Sequence, residues 1–342
     1  MLVSWNVTRR CNLYCEHCYR DSGPESPTEG ELTTEEGRRL IDQIKEAGFR
    51  MLIFSGGEPL TRGDLCELIA YAAERGLRAA LGSNGTLLDG AKAAELKEAG
   101  LAGIAISIDS ASPAYHNRFR NAADGWERAV MGIRHAREAG LKVQINMTLT
   151  SENMDDFERV AALAEELDVS SLHPFFLVPT GRGIYIEENA LKREQYFTAL
   201  KNVLAKRKST SIEIKPTCAP QFMPLAKSMG LNLRYTRGCL AGVAYCSILP
   251  NGEVHICPYL PVKVGDVRER PFHEIWETSP AFQDLRNFEK YEGACGACRN
   301  VGICGGCRAR SYYYSGGNFM AEEPWCHQRP AARAMGGRRG AQ

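Results

Sequence analysis

The sequence predicts an α/β fold: a partial (β/α)6 TIM barrel followed by a small cysteine-rich domain. Three observations carry this. From Leu2 to about Lys215, short apolar runs alternate with helical patterns. The runs are continuously apolar, as in parallel strands covered by helices on both faces. After Pro216 helical periodicity weakens while glycine, proline and cysteine rise. Eight βα units would close a barrel, whereas six leave it open.

Each element follows in order. MLVSWNV is a short β-rich run, and LTTEEGRRLIDQIKEAG is a helix opening on a Thr33-x-x-Glu36 cap. FRMLIFSGG is a strand ending in glycines, and DLCELIAYAAERG is a helix closed by Gly76. LRAALGSNG is a strand, AKAAELKEAG a helix ending at Gly100, and LAGIAISID a strand. GWERAVMGIRHAREAG (helix), LKVQINMTLT (strand), MDDFERVAALAEELD (helix) and SSLHPFFLVP (strand) complete six units, and a further helix spans roughly Leu191 to Lys208. Polar residues cluster just after the strands, at Ser55 to Glu58, Ser83 to Gly85, Ser107, Asp109 and Asn146. In α/β folds that edge is where ligands sit. The domains expected are 1–215, 216–328 and a disordered tail over 329–342.

The chain has 342 residues, 44% hydrophobic and 24% charged, with net charge +1. That balance gives no global field for nucleic acid or an anionic membrane. MLVSWNVTRR lacks a long apolar h-region, so a cytoplasmic, reducing location is expected. Thirteen cysteines in such a compartment point to metal or cluster ligands rather than disulfides. Cys66, in an apparent helix, reads as core.

Cys11, Cys15 and Cys18 form C-x3-C-x2-C directly after the first strand. Three thiolates are an incomplete set for tetrahedral zinc and for a four-iron cube alike. Spacing alone leaves zinc open, with His17 or a distant residue as fourth ligand.

That motif, with Gly56-Gly57-Glu58-Pro59 at the end of the second strand, resembles the radical SAM superfamily. The resemblance implies a [4Fe–4S] cluster on the three cysteines, its open iron kept for S-adenosylmethionine. It also implies that Gly56, Gly57 and Glu58 line the methionyl amine, and that Ser83 and Asn84 contact the ribose and methionyl region. Ser107 and Asp109 would end the fourth strand beside the cofactor, and Arg120 would face its carboxylate. Ferredoxin or flavodoxin would be the electron donor.

The later cysteines read Cys239-x6-Cys246, Gly252-x4-Cys257, Cys295-x2-Cys298-x5-Cys304-x2-Cys307, then Cys326. This series resembles the SPASM domain, which carries auxiliary clusters. The resemblance implies one auxiliary [4Fe–4S] cluster on Cys239, Cys246, Cys257 and Cys307 and a second on Cys295, Cys298, Cys304 and Cys326. The family usually has three residues where this chain has two between Cys304 and Cys307, so one or two auxiliary clusters are expected.

The strings KPTCAPQFM, RGCLAGVAYCSILPNGEVHICPYLPVKVGDVRE and CGGCRARSYYYSG are similar to the tetrapyrrole-modifying branch of these enzymes, most of all the haem synthases. Cys11 comes almost at once, so the peptide-recognition domain of the peptide maturases is expected to be absent. The resemblance implies an iron-porphyrin substrate, iron-coproporphyrin III, two of whose propionates become vinyl groups. Related side-chain removal in the haem d1 and sirohaem pathways, or peptide maturation, is the alternative. A porphyrin is apolar in its middle and anionic at its rim, and so calls for a few cations. Arg237 and Arg308, each tethered beside a cluster cysteine, are the first choices, with Arg182, Lys215 and Arg310 behind them. Cys218, outside both cluster sets, is a candidate to approach substrate or a cluster. His173 reads as a core or loop histidine rather than a haem ligand.

Overall fold

The computed structural model describes residues 1–327, so the expected tail lies outside the described residues. Six parallel strands, β1 (Leu2–Asn6), β2 (Met51–Ser55), β3 (Arg78–Ser83), β4 (Gly103–Ser107), β5 (Lys142–Leu149) and β6 (Ser171–Phe176), alternate with helices. A two-residue β7 (Glu213–Ile214) extends the series parallel to β6. The helices are α1 (Thr34–Glu46), α2 (Leu65–Glu74), α3 (Gly90–Glu98), α4 (Pro113–Arg120), α5 (Gly125–Glu138), α6 (Phe157–Glu166) and α7 (Arg193–Lys206). The capping box of Thr33 and Glu36 starts α1 as the sequence predicts. Among the described residues no helix is long and apolar enough to cross a membrane.

Two features depart from the sequence reading. Helix α4 was not expected, because its sequence PAYHNRFR has no apolar stripe and its buried residues are His116, Phe119 and Arg120. The cysteine-rich region is also less loop-like than expected. It contributes β8 (Tyr245–Ile248), β9 (Glu253–Cys257) and β10 (Leu260–Asp266), and β8 pairs in parallel with β1. One ten-stranded sheet results, in the order β10-β9-β8-β1-β2-β3-β4-β5-β6-β7.

The sheet has unlike faces. In β2, β4 and β5 fully buried residues alternate with half-buried ones. The buried set, such as Trp5, Leu52, Phe54 and Leu81, packs under the helices, each side chain contributing about 1.5–3 kcal/mol. The other set, which includes Ser55, Ser107, Asn146 and His173, faces the lumen and stays half-buried because the barrel does not close.

Candidate active site

The loop after β1 is pinned from three sides. Gly57 N donates to Thr8 O (2.8 Å) and Glu58 N to Arg10 O (2.8 Å), tying the end of β2 to the start of the loop. A Cβ at position 57 would sit 2.2 Å from Arg10 O, so only glycine permits this approach. Cys11 N donates to Gly23 O (3.1 Å), closing the loop's base. Arg182 is the third pin, a role that no local pattern around it marks. Its guanidinium donates to Cys15 O, Asp21 Oδ1 and Ser22 O, all at 2.8 Å, and stacks 3.7 Å over the Tyr14 ring.

This loop brings Cys11, Cys15 and Cys18 together. Burial pushes the Cys11 thiol up to about 12, and the neighbouring Cys15 and Cys18 push it the same way. Burial likewise raises Cys15 to about 11, opposed by Arg120. Thiols raised in this way, as Cys11 and Cys15 are, ionise readily only when their sulfurs bind a cationic group, which is the chemistry of an iron–sulfur ligand set.

Glu58, Ser83 and Asn84 form one buried unit beside Cys11. The Glu58 carboxylate accepts from Ser83 Oγ (2.8 Å), Asn84 N (2.8 Å) and Leu60 N (3.1 Å). Burial still raises Glu58 to about 7. Asn84 Nδ2 reaches Asn12 Oδ1 (2.9 Å) and lies 3.9 Å from Cys11 Sγ. Ser107 Oγ points back to Ser83 O at 3.5 Å. Asp109 and Arg120 are brought together, Nε to Oδ2 at 2.6 Å, both buried. Burial pushes the Asp109 carboxyl up, but Arg120, His17 and His116 outweigh it and hold it well below the usual range. Among the described residues only Nε of Arg120 makes a hydrogen bond, which leaves its terminal N–H groups beside Cys15 for an anion. His17 does not turn toward the cysteines as a fourth ligand would: it stacks on Phe119 at 4.1 Å.

The second cysteine zone forms two groups, one of which differs from expectation. Cys218 and Cys307 hydrogen-bond through their side chains, and Cys239 and Cys257 lie close enough to perturb them. Cys246 is not in this group. It is fully buried on β8, and strand alternation turns it away from the lumen-facing Tyr245 and Ser247, toward the helix layer with Val3. The expected grouping of Cys246 with Cys239, Cys257 and Cys307 is therefore corrected: the structure brings Cys218, not Cys246, beside these three. Cys295, Cys304 and Cys326 form the other group, judged by their mutual effect on the Cys304 thiol. Cys298 sits on the turn following Cys295, its Sγ accepting from Asn300 N (3.4 Å). Gly305 and Gly306 are both left-handed (φ +78° and +60°), so the two-residue link from Cys304 to Cys307 turns sharply and serves both groups.

Arg237 and Arg308 do not face an open cleft, which corrects their expected role. Arg237 is buried and donates to Cys239 O (2.8 Å) and Val301 O (3.2 Å). Arg308 is 1% exposed and donates to Phe319 O (3.0 Å) and Ala321 O (2.9 Å). Carbonyls at the helix and loop ends absorb both guanidinium groups. Arg310 is also internal. It pairs with buried Glu323 (Nε to Oε1, 2.7 Å) and donates to Cys218 O (3.0 Å). Glu323 in turn accepts from Cys307 N (2.7 Å), and its own N–H points at Cys295 Sγ (3.3 Å), so it touches both cysteine groups.

Comparison with known proteins agrees with this geometry. Residues 5–164 match the radical SAM superfamily and residues 239–300 match an iron-sulfur cluster-binding domain, SPASM. The chain is 41% identical to an AdoMet-dependent heme synthase of Oleidesulfovibrio alaskensis, covering 99% of this chain and 90% of the relative. It is 31% identical to an Fe-coproporphyrin III synthase of Methanosarcina barkeri, covering 95% and 87%. The fold is similar to the solved structure of native anSMEcpe with bound AdoMet and Cp18Cys peptide, with a TM-score of 0.73 at 19% identity over 95% and 93% of the two chains. The chain is thus an enzyme of the radical SAM superfamily with a C-terminal SPASM domain, using S-adenosylmethionine, a [4Fe–4S] cluster and auxiliary iron–sulfur clusters.

Proposed function

We propose that this enzyme oxidatively decarboxylates two propionates of iron-coproporphyrin III to vinyl groups, giving haem b. The observation that carries this reading is the 41% identity, over 99% of the chain, to a protein named AdoMet-dependent heme synthase. The polar lumen between two cysteine-bearing regions supports it, because the reaction needs a hydrogen-atom acceptor on one side and an electron acceptor on the other. The bound cofactors supply a 5′-deoxyadenosyl radical for the unactivated C–H and a cluster to receive the electron. Each propionate loses one hydrogen atom, one electron and CO2.

The residues of the chain take the following roles in this reading. Cys11, Cys15 and Cys18 hold the first cluster and leave one iron open. Gly56, Gly57, Ser83, Asn84 and Ser107 shape the wall for S-adenosylmethionine, with Glu58 fixing two of its strand ends. Arg120, held by Asp109, offers its free N–H groups to the cofactor's carboxylate. Cys218, Cys239, Cys257 and Cys307 hold one auxiliary cluster, and Cys295, Cys298, Cys304 and Cys326 hold the other. Ferredoxin or flavodoxin supplies the reducing electron in a reducing cytoplasm.

The test is anaerobic incubation with S-adenosylmethionine, a strong reductant and iron-coproporphyrin III, read by mass. Loss of two carboxyl groups as CO2, with 5′-deoxyadenosine formed alongside, is the expected result. An unchanged porphyrin, with turnover of another tetrapyrrole or a peptide instead, would move the chain to a different reaction of the same superfamily.

A further inference from the structure

We propose that Lys215, with His173 beside it, anchors one rim carboxylate of the substrate. These residues stand at the end of a polar row that crosses the lumen from the S-adenosylmethionine side to the auxiliary-cluster side. The proposal rests on the reading of the substrate as a porphyrin carrying several carboxylates.

The row follows from strand register. Ser107 on β4 lies opposite Asn146 on β5, and Asn146 lies opposite His173 on β6. Leu172 pairs with Ile214, which makes the next positions, His173 and Lys215, lateral neighbours; the bridge between Phe175 and Thr217 keeps the same register. All four side chains belong to the half-buried, inward set. With strands about 4.8 Å apart, the row spans about 14 Å. It begins at the strand that leads to Asp109 and ends just before Cys218, which sits on Cys307.

Among the described basic residues near this space, Lys215 has no hydrogen bond or ion pair to a carboxylate or carbonyl, and the anionic influence on it is that of Cys218. Arg182, Arg237, Arg308 and Arg310 are all engaged by carbonyls or carboxylates. Glu213, the acid on the same strand, is held by Arg234 (2.9 Å). The ammonium of Lys215 lies 4.7 Å from the Tyr235 ring centroid, and among the described residues no hydrogen bond or ion pair holds it. Burial lowers the Lys215 pKa, so the site would be more favourable with a counter-charge present. His173 makes no ring hydrogen bond among the described residues, and burial, with Lys215 and Arg234, takes it down to about 3. Its imidazole is neutral, with one N–H to donate and no positive charge of its own to add to that of Lys215. An ammonium and an imidazole N–H side by side make a carboxylate site, and the flat Phe175 in the next layer of the same strand suits an apolar macrocycle.

The test compares iron-coproporphyrin III with its tetramethyl ester, each titrated by Soret absorbance into the cluster-loaded parent, Lys215→Met and Lys215→Gln. The quantity read is the preference for acid over ester. Both variants are expected to lower that preference about tenfold or more. Removing an unpaired, partly buried cation also leaves the melting temperature equal to or above the parent's, whereas a lysine needed for folding would lower it. His173→Phe should reduce the preference by several-fold. An unchanged preference in the lysine variants, or equal losses for acid and ester, overturns the anchor while leaving the porphyrin reading in place. Failure of the parent to bind either porphyrin overturns both.

Discussion

Cys218 and Cys307 meet thiol to thiol, although one follows β7 and the other opens the helix Arg308–Tyr314. Their hydrogen bond draws the Cys307 thiol down from its ordinary value and pushes Cys218 well above its own. Two sulfurs so placed can be thiolates together only with a strong cation between them.

The first prediction separates Cys218 from Cys246. Cys218→Ser should lose about one [4Fe–4S] unit of iron and labile sulfide per chain. Cys246→Ser, on the far face of β8, should keep the parent's iron and lose only about 1–2 kcal/mol of stability from a poorly satisfied hydroxyl in the core. The reverse pattern of iron loss would restore Cys246 to the ligand set.

Glu58 carries a pH prediction. Its folded pKa of about 7 lies above the ordinary value of 4.5 because it is buried. The folded state then holds a proton that the unfolded state has lost between these limits. The stability associated with this proton is full below about 4.5 and is lost as pH rises through 7. The size is about 3 kcal/mol. Chemical denaturation of the parent across pH 5 to 8 should show that decline, and Glu58→Gln should flatten it. Parallel curves for the two proteins would assign the burial cost to another group.

Arg182 should matter more to the first cluster than to the fold as a whole. Its three hydrogen bonds hold the backbone on both sides of Cys18, two of them to carbonyls and one to the carboxylate of Asp21. Arg182→Ala is expected to cost about 2–4 kcal/mol locally. A chelator should then strip the first cluster at least tenfold faster, while auxiliary-cluster signals in electron paramagnetic resonance persist. Lysine cannot make the three-way contact, so Arg182→Lys should behave much like alanine.

The buried pair of Arg310 and Glu323 should show the asymmetry of internal ion pairs. Glu323→Ala leaves the Arg310 guanidinium and the Cys307 N–H without their acceptor. A loss of about 3–5 kcal/mol is expected. The double variant Arg310→Met, Glu323→Leu should be less damaged than Glu323→Ala alone, measured by thermal melting of cluster-loaded protein. If the double variant melts lower than the single, the pair contributes net stability in this site.

Much of the barrel was legible because parallel strands write themselves as unbroken apolar runs and helices announce their ends. Thr33 with Glu36, and the glycines at positions 76 and 100, lie where the patterns placed them. What escaped was long-range or aperiodic. Helix α4 buries a histidine, a phenylalanine and an arginine against the cysteine loop, a face that no hydrophobic pattern marks. Cys246 stands nearer to Cys239 in sequence than Cys218 does, yet the two-residue period of β8 turns it away. Arg237 and Arg308 adjoin cluster cysteines in the chain, but sequence proximity does not tell whether a guanidinium turns outward to a ligand or inward to carbonyls. Arg182 shows the converse: a distant residue whose contacts on the cysteine loop appear only in three dimensions.

The pairing of β8 with β1 has a consequence for how the molecule comes apart. β1 lies inside the sheet, with β2 on one side and β8 on the other. A chain cut after residue 215 would leave one flank of β1 as an open edge, its N–H and C=O groups bare, and such edges recruit other chains. The cysteine-rich segment is therefore a structural clasp as well as a cluster-binding region. The two cluster regions are expected to melt in one cooperative transition, so damage to an auxiliary site that loosens β8 would reach the first cluster through the backbone of β1.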